Sequence, residues 1–270
     1  MRTEKKTVYY RDPVHDDFAG THIDTNAIGG EYRYTHGRAW HWIANMLYYP
    51  IALPLVWFLH RVFYGIRFIN RGARKKVKGP CFLYGNHTGI FDAYTPALLS
   101  CPRRAAILAG ADAFSIRGVR TIVQMLGGIA IPNQVSGMKH FMEAVSDEFR
   151  KGHDIAIFPE AHIWPYYTGV RPFPATSFAY PVKMNVPVIA FFAAYSEPRR
   201  IDRLLGRKAA IRIYLSGPIC PDTSLPYKKA QQKLRDEVYA FMEQTAKEYS
   251  AYTVIDYVQL PVEAEEKRSA

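Results

Sequence analysis

Cys81-Phe82-Leu83-Tyr84-Gly85-Asn86-His87-Thr88-Gly89-Ile90-Phe91-Asp92 is the stretch on which the reading of this chain turns. An unbroken apolar run ends, and a histidine and an aspartate follow, five positions apart. Apolar residues without alternation are what a strand covered on both faces shows. An imidazole titrates near neutrality and can take a proton from a hydroxyl. A carboxylate in reach of its far nitrogen fixes the tautomer and stabilises the imidazolium. The same spacing also fits a histidine that merely closes a strand beside a solvated carboxylate. The surrounding sequence has to decide.

Downstream, Ala105–Ala109, Gly128–Ile131, Asp154–Phe158, Pro187–Ala193 and Ala210–Leu215 read as further strands, as Cys81–Tyr84 does. Ile211, Ile213 and Leu215 alternate with Arg212 and Tyr214, which suits an edge or half-exposed strand. Met138, Phe141, Met142, Val145 and Phe149 recur at helical spacing between Ser136 and Gly152. Ala230, Leu234, Val238, Phe241 and Met242 do the same in a long later helix. Strands alternating with helices predict an α/β fold with a mostly parallel sheet flanked by helices. In such sheets ligands gather beyond the carboxyl ends of the strands, which is where His87 falls.

The 270 residues suit one large domain with an appendage, and 49% hydrophobic content supplies a full core. A net charge of +11 attracts anionic surfaces. Nucleic acid has only this charge in its favour, because no nucleic-acid-binding motif accompanies it. Residues 1–38 are polar and read as a weakly structured arm. Ile43 to Leu59 carries no charge, at the short end of the roughly 17–25 residues of a spanning helix. Trp40 and Trp42 flank it on one side, and Arg61, Arg67, Arg71, Arg74, Lys75, Lys76 and Lys78 on the other. Aromatic rings favour the interface and basic clusters favour an anionic leaflet. Residues 39–70 therefore read as a membrane-embedded helical element, either a short span or a bent pair of helices in one leaflet. Pro50 and Pro54 are expected to kink or break it. The resulting division is 1–38 arm, 39–78 membrane element and basic linker, 79–260 α/β domain and 261–270 flexible tail.

Three further blocks follow the histidine in order. They are Gly127-Gly128-Ile129-Ala130-Ile131, Phe158-Pro159-Glu160 and Val186-Pro187-Val188-Ile189-Ala190. With His87 and Asp92, this order resembles the PlsC-like glycerolipid acyltransferase family over about residues 80–215. The family carries His-x4-Asp, Gly-x-Ile-x-Ile, Phe-Pro-Glu-Gly and Val-Pro-Ile/Val. The resemblance implies a PlsC-like fold and direct acyl transfer. His87 would deprotonate the acceptor hydroxyl and Asp92 would orient it. Backbone N–H groups of Thr88 and Gly89 would face the oxyanion. Asn86, Thr88, Gly89, Gly128, Asn133, Phe158, Pro159, Glu160, His162 and Arg171 would contribute to substrate binding. No metal or resident cofactor is implied. The co-substrate would be acyl-CoA, acyl-carrier protein or acyl phosphate, and the partner a lyso-lipid at the cytoplasmic face of an anionic membrane.

The chain departs from the family where a phosphate would be held. Ile131-Pro132-Asn133-Gln134 lacks the usual arginine. Ala161 and His162 stand where the family has glycine and threonine, and the arginine after them is absent. Pro172-Phe173-Pro174-Ala175-Thr176 lacks the family's lysines. Arg171, Arg117 or Lys183 could replace those cations. Otherwise Asn133, Gln134, His162, Tyr166 and Tyr167 could hydrogen-bond a neutral head group. A 1-acylglycerol-3-phosphate-type acceptor stays ahead on the family pattern, and a phosphate-free lyso-lipid is the alternative.

Overall fold

The computed structural model describes residues 6–18, 25–115 and 118–261. Arg117 and the tail residues after Pro261 lie outside the described residues. The strands are β1 (Lys6–Tyr10), β2 (Arg67–Ile69), β3 (Phe82–Gly85), β4 (Ala105–Ala109), β5 (Gly128–Ala130), β6 (Asp154–Ile157), β7 (Val188–Ser196), β8 (Ala210–Leu215) and β9 (Ile255–Gln259). The helices are α1 (Arg38–Phe63), α2 (Gly72–Lys75), α3 (Thr95–Ser100), α4 (Val119–Met125), α5 (Met138–Arg150), α6 (Ala179–Met184), α7 (Arg200–Leu204) and α8 (Tyr227–Tyr249).

Seven strands form one sheet in the order β2-β8-β7-β3-β6-β4-β5. Every neighbouring pair is parallel except β7 with β8. The expected α/β class and mostly parallel sheet are therefore present. Side chains alternate across the pleat, so each apolar run supplies two cores at once. Phe82, Tyr84, Ile155, Ile157, Val188 and Phe192 pack with Phe141 and Val145 of α5 and Leu234, Val238 and Met242 of α8. Leu83, Ala156, Ile189, Phe191 and Ala193 face the other way, toward Ile66, Ala73, Phe91 and Leu99. The half-buried pattern of β8 arises one strand in from the edge, because β2 covers its outer side.

Three expectations change here. The N-terminal arm is not weakly structured where it is described. β1 pairs in parallel with β9 in a separate two-stranded sheet. Ile28 and Tyr32 are buried against Phe114 and Ala130. Tyr10 of β1 and Tyr257 of β9 both pack on Trp164, so the apolar side of this small sheet is completed by the middle of the chain.

The membrane element is also different from its expected bounds. α1 is one continuous helix of 26 residues, apolar and long enough to cross a membrane. Pro50 does not break it. The helix passes through π turns at Tyr48–Ala52 and Leu59–Phe63. A π turn absorbs an extra residue and the lost backbone hydrogen bond of a proline. Ala44, Tyr48, Val56 and His60 form its buried stripe. They sit at multiples of four, a period that a pure α-helix would let drift and that the π turns keep on one side.

Residues 67–69 belong to the sheet, not to a membrane element or linker. Arg74, grouped above with the basic cluster, is buried. Its Nε and Nη2 donate to Asp154 Oδ2 at 2.8 Å and Oδ1 at 2.6 Å. The same Asp154 accepts from the Cys81 N–H at 3.0 Å. This pair locks α2 to the entries of β3 and β6. Removing one partner leaves a buried charge alone, which costs about 3–5 kcal/mol. Arg74→Ala is expected to lower unfolding stability by that amount in urea titration. An unchanged midpoint would show that the pair contributes nothing.

Candidate active site

The sheet register brings the first and third sequence blocks together. Tyr84 of β3 pairs with Ile157 of β6. His87 and Glu160 each follow three residues later, so both emerge at the carboxyl edge of adjacent parallel strands. The His87 N–H donates to Glu160 Oε2 at 3.2 Å. The His87 ring stacks on Phe158, with centroids 4.6 Å apart and planes at 24°. Phe158 in turn meets Phe191 edge-on.

Asp92 lies in the short 3₁₀ turn Ile90–Tyr94 and is buried. Its Oδ2 accepts the N–H of Thr88 at 2.5 Å and of Gly89 at 2.8 Å. Five-residue spacing is thus the spacing of a loop that folds back and caps itself. The same oxygen lies 3.5 Å from His87 Nδ1. That nitrogen is buried and has no hydrogen-bond partner. The imidazole is 14% exposed. Bonds of this kind are often long without substrate and tighten when it binds.

Several residues expected to touch substrate are occupied otherwise. Thr88 and Gly89 have given their N–H groups to Asp92 and cannot offer them to an oxyanion in this arrangement. Thr88 is buried, with Oγ1 2.8 Å from the Tyr195 hydroxyl. Asn86 is buried and clamps β7. Its Oδ1 accepts the Ala193 N–H at 2.8 Å and its Nδ2 donates to the Ala193 carbonyl at 3.3 Å. Asn133 holds the N-terminal segment, accepting from the Ile28 N–H at 2.8 Å and donating to the Asn26 carbonyl at 3.0 Å. Gly128 opens β5, three strands from β3 and level with Ile107, Ala156 and Leu83, and so lies away from the carboxyl edge where His87 emerges. A Cβ there would sit 2.5 Å from Val123 Cγ1, so the glycine allows α4 to pack closely.

Glu160 is buried too, and acts on the protein. Oε1 accepts the Arg171 N–H at 3.2 Å, and Arg171 Nη2 reaches Oε2 at 3.4 Å. Arg171 Nη2 also donates to the carbonyls of Glu160 and His162. Burial pushes the Glu160 carboxyl upward from its ordinary range. The Arg171 guanidinium and the two backbone donors offset only part of that. Burial likewise lowers Arg171. His162 is partly exposed, 3.6 Å from Asp17 of the N-terminal arm. Pro159 is half-buried in the turn between Phe158 and Glu160.

Sequence reading missed the residues that close the site from behind. Trp164 is buried and its N–H donates to the His87 carbonyl at 3.1 Å. Its indole donates to the Asp16 carbonyl at 2.8 Å and stacks on Tyr257, 5.0 Å between centroids. Tyr195 was hidden in a continuous apolar strand. His60 of α1 lies 3.1 Å from the Phe91 carbonyl, within the same loop as Asp92. No spacing signal connects these positions, since each is separated from His87 by a different element.

A profile of the acyltransferase family matches residues 53–193, more than half of the chain, with His87, Asp92, Glu160 and Arg171 inside it. The chain belongs to the acyltransferase family. Among solved structures, the 1-acyl-sn-glycerophosphate (LPA) acyltransferase PlsC from Thermotoga maritima is similar at 15% sequence identity and a TM-score of 0.49, covering 78% of this chain and 95% of that one. No curated protein matches the sequence.

In this acyltransferase, Ala161 stands where the Phe-Pro-Glu-Gly block has its glycine, and its backbone lies in the left-handed region that favours glycine. Its φ is +64°. For an L-residue that region costs about 1–2 kcal/mol, whereas glycine pays only about 0.5–1 kcal/mol of extra chain entropy. Ala161→Gly is therefore expected to leave thermal stability unchanged or raise it by up to about 1 kcal/mol. A clear fall in melting temperature would contradict the strain.

Proposed function

We propose that this acyltransferase is a glycerolipid O-acyltransferase. It moves a fatty acyl group from a thioester or acyl phosphate to the hydroxyl of a lyso-lipid at the cytoplasmic face of a membrane. The observation that carries the reading is His87 Nδ1 facing the fixed carboxylate of Asp92 at 3.5 Å. With Nδ1 turned inward, Nε2 is the nitrogen left for the acceptor. It takes the hydroxyl proton as the oxygen attacks the acyl carbonyl. For a thioester donor, collapse of the tetrahedral intermediate breaks the carbon–sulfur bond. The imidazolium, steadied by Asp92, returns its proton to the leaving thiolate. The protein forms no covalent bond to the acyl group.

The membrane half of the proposal is supported by α1. Trp42, Ile43, Met46, Ile51, Leu55, Trp57, Phe58 and Phe63 are exposed along it. An apolar surface of this extent on a soluble face calls for lipid or protein cover. Its buried stripe meets the domain from Tyr48, whose hydroxyl accepts the Ala105 N–H at 3.4 Å, to His60 at the Asp92 loop. A helix held to the domain along this length favours lying in one leaflet over standing across the bilayer. The end carrying His60 brings the lipid surface beside the dyad.

The family pattern supports 1-acylglycerol-3-phosphate as acceptor. A second reading, an acceptor without a phosphate, is favoured by two observations. Arg171 is buried and bound to Glu160, and Asn133 is bound to the arm. Arg171, the cation nearest the Phe-Pro-Glu block, is therefore not accessible to a phosphate. A panel of lyso-lipids with and without phosphate, incubated with acyl-CoA or acyl-carrier protein and read by mass spectrometry, separates the two. His87→Ala is expected to reduce transfer about 10²–10⁴-fold with an unchanged circular dichroism spectrum. Full retained transfer in that variant would sink the dyad.

A further inference from the structure

We infer that the turn Arg199–Arg207, between β7 and β8, is a second lipid-contacting foot that seats the catalytic edge on an anionic membrane. The inference rests on the membrane-associated reading of α1.

The turn is built to present apolar side chains outward. Ile201, Leu204 and Leu205 are exposed, Leu204 by 81%. Nothing among the described residues covers them, yet the base of the turn is tightly fixed. Asp202 is buried, accepts the Arg199 N–H at 3.1 Å and pairs with Arg207 Nη1 at 2.6 Å. Arg207 Nε then donates to the Phe63 carbonyl at 2.8 Å, and Nη2 to the Val62 carbonyl. A single guanidinium thus ties the turn to the carboxyl end of α1. Val62 and Phe63 are exposed there as well, Phe63 by 62%. The apolar face of α1 continues onto the turn.

Arginines border this apolar surface. A groove of about 200 Å³ between α1 and the turn is lined by Arg61, Arg67, Arg199, Arg207, Arg212 and Asp202. Asp202 is spent on Arg207 and the Arg199 N–H. Among the described residues, Arg61, Arg67 and Arg212 form no ion pair. Exposed leucines beside unpaired arginines are the complement of a bilayer, with acyl chains below and anionic head groups above. A guanidinium fork suits a phosphodiester.

The sheet puts this foot at the catalytic edge. β7 runs parallel to β3, so its end at Ser196 lies on the same side as His87. β8 returns antiparallel, pairing Ala210 with Ser196, and β2 pairs Arg67 with Arg212. The leucines, the arginine groove, the end of α1 and the dyad therefore share one edge. Contact by both feet would press that edge to the interface where a lyso-lipid hydroxyl lies.

The test is co-sedimentation of the full chain with vesicles of phosphatidylcholine alone or mixed with phosphatidylglycerol. Leu204→Ser/Leu205→Ser is expected to weaken binding to both vesicles about tenfold. Arg67→Gln/Arg212→Gln is expected to weaken binding to the anionic vesicles by about fivefold per arginine, with the neutral ones unaffected. All these side chains are at least partly exposed, so unfolding midpoints should match the parent and are measured alongside. Trp57→Ser/Phe58→Ser on α1 serves as the control. If that control loses binding while both other variants bind as the parent does, the second foot is wrong and the α1 reading stands. If the control too binds as the parent does, or the parent ignores vesicles, the membrane reading fails and takes the foot with it. A parent that self-associates through Leu204 in sedimentation, without vesicle dependence, assigns the patch to a second copy and overturns the proposal.

Discussion

The bond from the His87 N–H to the buried carboxylate of Glu160 holds the candidate site together. It fixes the backbone at the end of β3 to the turn that follows β6. It also explains why Glu160 is buried with Arg171 rather than offered to a ligand. A carboxylate taken out of water needs compensation from several donors. The His87 N–H supplies one, and the loop that ends at Arg171 supplies that residue's N–H and guanidinium. That demand shapes residues 158–171 into a closed turn. Trp164 then returns to bond the carbonyl of the same His87. The histidine's main chain is gripped on both its donor and its acceptor side, while its ring stays free to meet Asp92 and a substrate.

Much of this was legible in the sequence because it follows from local rules. The apolar runs at Phe82–Tyr84 and Ile155–Ile157 announced covered parallel strands, and the chain positions of His87 and Glu160 relative to them carried the site. What escaped reading depends on contacts across the chain. β2 is three residues of Arg67-Phe68-Ile69, too short and too charged to show a strand pattern. Arg74 looked like one of seven surface cations until Asp154 buried it. Thr88 and Gly89 looked like oxyanion donors because the loop's own carboxylate was assigned only to His87. Asn86 and Asn133, polar residues beside the motifs, are consumed by backbone groups of β7 and of the N-terminal segment. A buried amide with two backbone partners cannot be told from a substrate ligand by its neighbours in sequence.

Charge shows the same division. The +11 of the chain is not one basic surface. Some arginines are interior struts, such as Arg74 and Arg171. Arg207 is a tether between α1 and the β7–β8 turn. Among the described residues, Arg61, Arg67 and Arg212 form no ion pair and lie at the same sheet edge as His87. Net charge says only which sign of surface the chain as a whole attracts, and the pairing of individual guanidinium groups decides where positive charge is available.

The pairing of β1 with β9 has a temporal consequence. Among the described residues these are the paired strands most widely separated in sequence, so their loop is the costliest to close. Tyr257 of β9 stacks on Trp164, behind His87. The seven-stranded sheet can assemble around β3 while the chain is still emerging. The aromatic backing of the histidine loop must wait for residues 255–259 to leave the ribosome. Completion of the site is thereby placed after synthesis of every strand of the seven-stranded sheet.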